Sequence, residues 1–148
     1  MYTAFLYKIL NIFQEKIIPL TAHSVSLGNK IFGAAIIKKE DLSVVVAGTN
    51  NEIQNPLWHG EIHTLKIFYE MPEEKRPNTK DCLFISSHEP CSLCLSAITF
   101  SGFNNFYYLF NLTCLCKYKI LSRLLLPKRK IFHRISNRCI HKMRDLFH

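Results

Sequence analysis

Two short stretches hold residues whose types and spacing suit chemistry: His59-Gly60-Glu61 and Glu89-Pro90-Cys91-Ser92-Leu93-Cys94. One imidazole and two thiols are ligands for a borderline-soft divalent ion such as zinc. Cys91 and Cys94 are three apart, so a helix would turn them to one side with Cβ atoms about 5–6 Å apart. Pro90 falls where a first helical turn tolerates proline, and the positive end of that helix favours thiolates. With His59 as third ligand, a fourth position stays open for water, as a catalytic zinc needs and a structural one does not. Zinc brings the pKa of bound water down to about 7 and so makes hydroxide available as nucleophile. Glu61, two residues from His59, is then the carboxylate free to act as general acid and base.

Other residues near these stretches invite weaker readings. His63 lies four after His59, but the glutamate is one place too late for an H-E-x-x-H protease pattern, so His63 reads as an ordinary helical residue. His88 and Glu89 read as loop residues supporting the site and not as ligands. Trp58, the lone tryptophan, reads as core, with stacking on a base as the alternative. A lone C-x-x-C is often a structural half-site or a redox pair, and a lone H-x-E carries little information; their combination in this order, with proline before the first cysteine, is specific.

That order, H-x-E and then P-C-x-x-C, resembles the signature of zinc deaminases, and the chain resembles the cytidine deaminase-like superfamily in its His/Cys/Cys branch. Phe32-Gly33-Ala34 looks like the small-residue strand that floors the substrate pocket there, and Gly48-Thr49-Asn50 resembles the turn whose Asn contacts substrate. Asn55-Pro56 is similar to the Asp-Pro of guanine and tRNA adenosine deaminases, and a central Gly60 is similar to fungal cytosine deaminases. The resemblance covers about residues 1–110. It implies Zn2+ on His59, Cys91 and Cys94, Glu61 as catalytic proton shuttle, and substrate contacts at Gly33, Ala34, Asn50 and Pro90. The implied reaction is hydrolytic deamination of a nucleobase, nucleoside or nucleotide, with cytosine-type substrates favoured. The alternatives are tRNA adenosine deamination, or a catalytically impaired zinc-binding relative with an altered C-terminus. A homodimer is a further expectation.

The elements that must position these residues follow from periodicity. Leu6, Ile9, Leu10, Phe13 and Ile17 fall on one face of a helix expected to end before Pro19, with turn residues from Thr21 to Lys30 and the sharpest break at Gly28-Asn29. Residues 31–37 and 43–47 predict a hairpin of strands buried on both faces. His59 to Met71 predicts a helix stopped by Pro72, and residues 72–81 a surface loop. Cys82 to Ser87 predicts a strand, Cys91 to Ser101 a helix ended by Gly102, and Phe106 to Phe110 a fourth strand. Alternating strands and helices imply an α/β class, here a three-layer α/β/α fold around a mixed sheet, with an atypical C-terminal part.

Composition bounds the rest. The chain has 148 residues, 48% hydrophobic and 20% charged, one globular domain by size. The apolar N-terminal run is broken by Lys8, Asn11, Gln14, Glu15 and Lys16, which excludes a membrane span and predicts a cytoplasmic protein. Reduced thiols follow, with Cys82, Cys114, Cys116 and Cys139 structural or incidental; Cys114 and Cys116 as a second metal site is the weaker reading. Residues 1–110 hold nine Lys and Arg against ten Asp and Glu, whereas residues 111–148 hold ten against Asp145 alone. The chain therefore divides into a zinc deaminase domain, 1–110, and a basic segment, 111–148, whose fold the sequence leaves open. Ile120, Leu121, Leu124 and Leu125, then Phe132, Ile135, Cys139, Met143 and Leu146, recur at helical spacing and predict two basic helices that would suit RNA. The abrupt charge switch at 111 also fits a segment unrelated to the domain, for example one read out of its ancestral frame, and this reading is favoured because the family-like sequence stops in the middle of an expected element.

Overall fold

The computed structural model describes residues 2–110 and 132–134. Helix α1 (Tyr2–Ile12) runs into a wider π-turn (Phe13–Ile17) and on into α2 (Ile18–Ser26). This corrects the expectation that the helix stops before Pro19. Proline lacks an N–H and its ring crowds the carbonyl four residues back. The π-turn places Pro19 in the first turn of α2, where a missing N–H costs least. The turn keeps Phe13 and Ile17 buried on the same stripe as Leu6 and Ile9. The break comes where the sequence placed it, at Gly28, whose φ of +95° suits glycine.

Strands β1 (Gly33–Lys38) and β2 (Val44–Thr49) form the expected antiparallel hairpin. Next come α3 (Gly60–Glu70), β3 (Cys82–His88), α4 (Ser92–Phe100) and β4 (Phe106–Phe110). A short strand β5 (Phe132–Arg134) completes a sheet of order β2-β1-β3-β4-β5. β3 pairs antiparallel with β1 and parallel with β4, and β5 pairs parallel with β4, so the sheet is mixed. Burial on both faces holds for β1, in the middle of the sheet, and not for β2, whose residues 44–47 are only half-buried. Among the described residues β2 is an edge, with a neighbour on one side only. Phe132, read as helical, lies in β5, where it pairs with Phe106 and supplies backbone partners to the outer side of β4. Otherwise the two readings of 111–148 lie outside the described residues, as do Cys114, Cys116 and Cys139.

Side-chain alternation divides the core in two. Ala35, Ile37, Leu83, Ile85 and Leu109 face the α1 stripe. Ala34, Ile36, Phe84, Phe106 and Tyr108 face Leu65, Phe68 and Ile98 of α3 and α4. Strand residues one apart pointing to opposite faces are what a period of two demands, and the result is the expected three-layer α/β/α arrangement. Among the described residues no helix is long and apolar enough to cross a membrane.

Registers of Gly33 with Thr49, and of Ala34 with Ser86, bring the start of β1 and the ends of β2 and β3 to one edge of the sheet. His59 follows β2 and Cys91 follows β3, so both arrive at that edge. There α3 presses directly on β1. A Cβ built on Gly60 would lie 2.5 Å from the Phe32 carbonyl oxygen and 2.8 Å from its carbon. Both are backbone atoms that cannot swing aside. Gly60→Ala is therefore expected to destabilise the protein by about 1–3 kcal/mol, the usual scale of overpacking, read as a lower midpoint in denaturant unfolding; an unchanged midpoint would contradict this contact.

Candidate metal centre

His59 occupies the N-cap position of α3, with extended backbone (φ −56°, ψ 159°). Cys91 occupies the same position on α4 (φ −68°, ψ 170°), and Cys94 lies in that helix's first turn. Cys91 is thus just outside the helix expected to contain it, and Pro90 precedes the cap instead of standing in the first turn. The extended backbone at Cys91 lets its sulfur fold back over the helix end. The result is a tight group: Cys91 Sγ and Cys94 Sγ are 3.4 Å apart, and His59 Nδ1 is 3.4 Å from the first and 3.5 Å from the second. Two sulfurs on one tetrahedral zinc should be about 3.8 Å apart, and sulfur and nitrogen about 3.6 Å, given bonds of about 2.3 and 2.0 Å. The donor set fits zinc with small adjustments, and among the described residues it is the one cluster of His, Cys, Asp or Glu that suits a metal.

The electrostatics point the same way. Hydrogen bonding with Cys94, helped by His59, lowers the Cys91 thiol to about 5, a shift that favours its thiolate form. Cys94 is pushed up by that same hydrogen bond, by burial and by the neighbouring Glu61 carboxyl. Two adjacent thiolates repel, and a cation is what lets both ionise. Glu61 is 5% exposed, and burial raises its carboxyl against opposing hydrogen bonds from its own backbone and the Cys94 side chain. It touches the cluster without being one of its three donors.

The expected substrate contacts separate. Gly33 and Ala34 are buried at the start of β1, under the N-terminus of α3, and Pro90 is half-buried. Asn50 is wholly buried, with its carboxamide spent on protein. Its Oδ1 accepts from the Lys30 and Glu52 backbone N–H groups, and its Nδ2 donates to Glu52 at 2.6 Å. Asn50 thus braces the loop that leads to His59. Glu52, missed in the sequence, has its Oε1 3.7 Å from His59 Nε2 and 2.9 Å from Lys30 Nζ. Burial opposes its ionisation, yet bonds from Lys30 and Asn50 leave its carboxyl below the ordinary value. The one sequence signal was its isolation, since it is the single acidic residue between Asp41 and Glu61.

The remaining candidates take supporting places. His63 holds the Thr49 carbonyl oxygen through Nδ1 at 2.8 Å. Trp58 is half-exposed, not core; its ring stacks on that of His63 at 5.5 Å, with Lys66 Nζ 5.0 Å from its centroid. His88 packs edge-on against Phe32 and bonds Ser87 through Nδ1, and burial lowers its pKa. Glu89 ties β3 to β4 through its backbone N–H, which donates to the Phe110 carbonyl at 2.8 Å. Cys82 is a buried core thiol.

Comparison with known proteins agrees with this geometry. Residues 10–110 match the family described as the cytidine and deoxycytidylate deaminase zinc-binding region. Over 82 residues the chain is 34% identical to the cytosine deaminase of Candida albicans, a match covering 54% of this chain and 52% of that protein. The chain thus spans about half the length of that curated relative. A structure from studies of A-to-I editing by tRNA:A34 deaminases superposes with a TM-score of 0.65 at 17% identity, over 84% of this chain and 97% of that one. The guanine deaminase of Bacillus subtilis gives 0.56 at 22% identity, over 91% and 93%. Identities this low speak to the fold alone. The matched span contains His59, Glu61, Cys91 and Cys94, and on that match the chain belongs to the cytidine and deoxycytidylate deaminase zinc-binding family.

Proposed function

We propose that this protein is a zinc-dependent hydrolase that removes the exocyclic amino group from a cytosine-type base, nucleoside or nucleotide. The observation that carries the reading is the pairing of a His59/Cys91/Cys94 donor set with a buried carboxyl, Glu61, beside it. Identity to a cytosine deaminase supports the choice of base. Zinc held by these three side chains supplies Lewis-acid activation of water at neutral pH.

The protein's own part is to hold the ring and move protons. As water adds to the amino-bearing carbon, a Glu61 carboxylate oxygen accepts one of its protons and delivers it to the adjacent ring nitrogen. The second water proton passes by the same oxygen to the amino nitrogen, the C–N bond breaks, and ammonia leaves as the carbonyl forms. A carboxyl raised by burial suits both halves of this transfer, because a general acid-base works best with a pKa near the operating pH. Gly33 and Ala34, at the start of β1 under the N-terminus of α3, and Pro90, leading into Cys91, are the further residues assigned to substrate contact.

A second reading, deamination of adenosine in tRNA, draws on the ten Lys and Arg against one Asp in residues 111–148, since phosphate contacts dominate nucleic-acid affinity. Salt-sensitive tRNA binding with inosine formation selects it. Zinc content with no ammonia release from any base, nucleoside or nucleotide selects an impaired relative. A screen for ammonia release across those substrates decides among the three, with turnover of a cytosine-type substrate expected.

Metal analysis should give one zinc per chain and a large loss in Cys91→Ser; stoichiometric zinc in that variant, with loss in Cys114→Ser, would move the site elsewhere. Glu61→Ala should keep its zinc and lose turnover by a factor on the order of 10² or more. Zinc lost in parallel with activity would make Glu61 a ligand instead.

A further inference from the structure

His59 has two ring nitrogens, and each faces something different. Nδ1 lies within 3.5 Å of both sulfurs, while Nε2 looks to Glu52 Oε1 at 3.7 Å. That carboxylate is held on several sides. Lys30 Nζ donates to Oε1 at 2.9 Å, and Asn50 Nδ2 donates to Oε2 at 2.6 Å. Asn50 is itself fixed by its neighbours. Its N–H donates to the Phe32 carbonyl at 2.7 Å, and the Asn50 carbonyl accepts from Ser24 Oγ at 2.9 Å. Asn29 Oδ1 accepts from the Ile53 N–H. The turn after α2 and the loop after β2 are thereby stitched together around one carboxylate, aimed at the nitrogen of His59 that faces away from the sulfurs.

We infer that Glu52 is the positioning residue of the metal centre: its carboxylate, at ion-pair distance from Nε2, favours the ring proton of His59 on that side, so that Nδ1 stays bare toward the ion. A neutral imidazole carries one N–H, and the group that faces one nitrogen decides which nitrogen is left to ligate. A carboxylate in that place also sets the ring's rotation and raises the ligand's basicity. The assignment rests on His59 being a ligand, as proposed above. It gives Asn50 and Lys30 a role in orienting Glu52. The competing explanation is that Glu52 only ties two loops together, with its approach to His59 incidental.

Zinc affinity of the full chain, measured by competition with a chromophoric chelator, separates these cases. Glu52→Ala should weaken zinc binding by about 10- to 100-fold, and Glu52→Gln, which keeps an acceptor oxygen in place, should recover most of the loss. Long-range proton–nitrogen spectra of the metal-free protein, labelled at histidine, should show His59 protonated at Nε2 in the wild type and in Glu52→Gln, and as mixed tautomers in Glu52→Ala. Wild-type affinity in Glu52→Ala overturns the inference. So does an equal loss in both variants that tracks a lowered melting temperature of the metal-free protein, which would mark a loop tie. Cys91→Ser keeps the two levels apart. If it loses zinc while Glu52→Ala does not, the role of Glu52 alone fails; if it too binds zinc normally, the metal site itself was misplaced.

Discussion

Three donor atoms from the starts of two helices meet within 3.5 Å of one another, and that crowding is the constraint to which the rest of the structure answers. Two thiols and a buried carboxyl in contact do not all ionise in the absence of a positive charge. Without one, the protons redistribute, lowering Cys91 and raising Cys94 and Glu61. A divalent ion at the centre resolves the conflict, and the helix N-termini contribute partial positive charge on the same side. The energetic cost of assembling such a group falls on the fold, which has to hold it rigidly before the ion arrives.

The fold does so by bringing three strand ends to one edge. Only residues 89–91 separate β3 from α4, so α4 starts directly above that edge, while the longer loop 50–59 between β2 and α3 is braced by Asn50. Gly60 allows α3 to seat against the backbone of Phe32, and Thr64 Oγ1, bonded to the Gly60 carbonyl at 2.7 Å, closes the first turn from within. On the far side of the sheet, α1 and its π-turn bury Phe13 and Ile17 against β1 and β3. Support from both faces fixes the strand on which α3, and so His59 and Glu61, rests.

What was legible in the sequence follows from which interactions are local. That His59, Cys91 and Cys94 come together could be read because zinc chemistry restricts ligand type and spacing together, and strands and helices could be read because their apolar periods differ. Continuation of the first helix past Pro19 could not be read, since it depends on a π-turn held by the tertiary burial of Phe13 and Ile17. Burial of β2 was overstated because an apolar run carries no sign of whether a strand has one neighbour or two. The protein partners of Asn50, Lys30 and Glu52, could not be read because they depend on how two loops meet. Glu52 escaped notice for the same reason, as a lone acid in a polar loop has no period and no spacing to announce it.

The central claim is that one zinc is held by two sulfurs and one imidazole, with a remaining position for a light atom. Zinc K-edge X-ray absorption on the purified protein tests it most directly. Two sulfur neighbours at about 2.3 Å and two nitrogen or oxygen neighbours at about 2.0 Å are expected. A shell of four sulfurs would mean a closed structural site that draws in further cysteines, and a shell with no sulfur would mean that Cys91 and Cys94 are not ligands; either result would contradict the account.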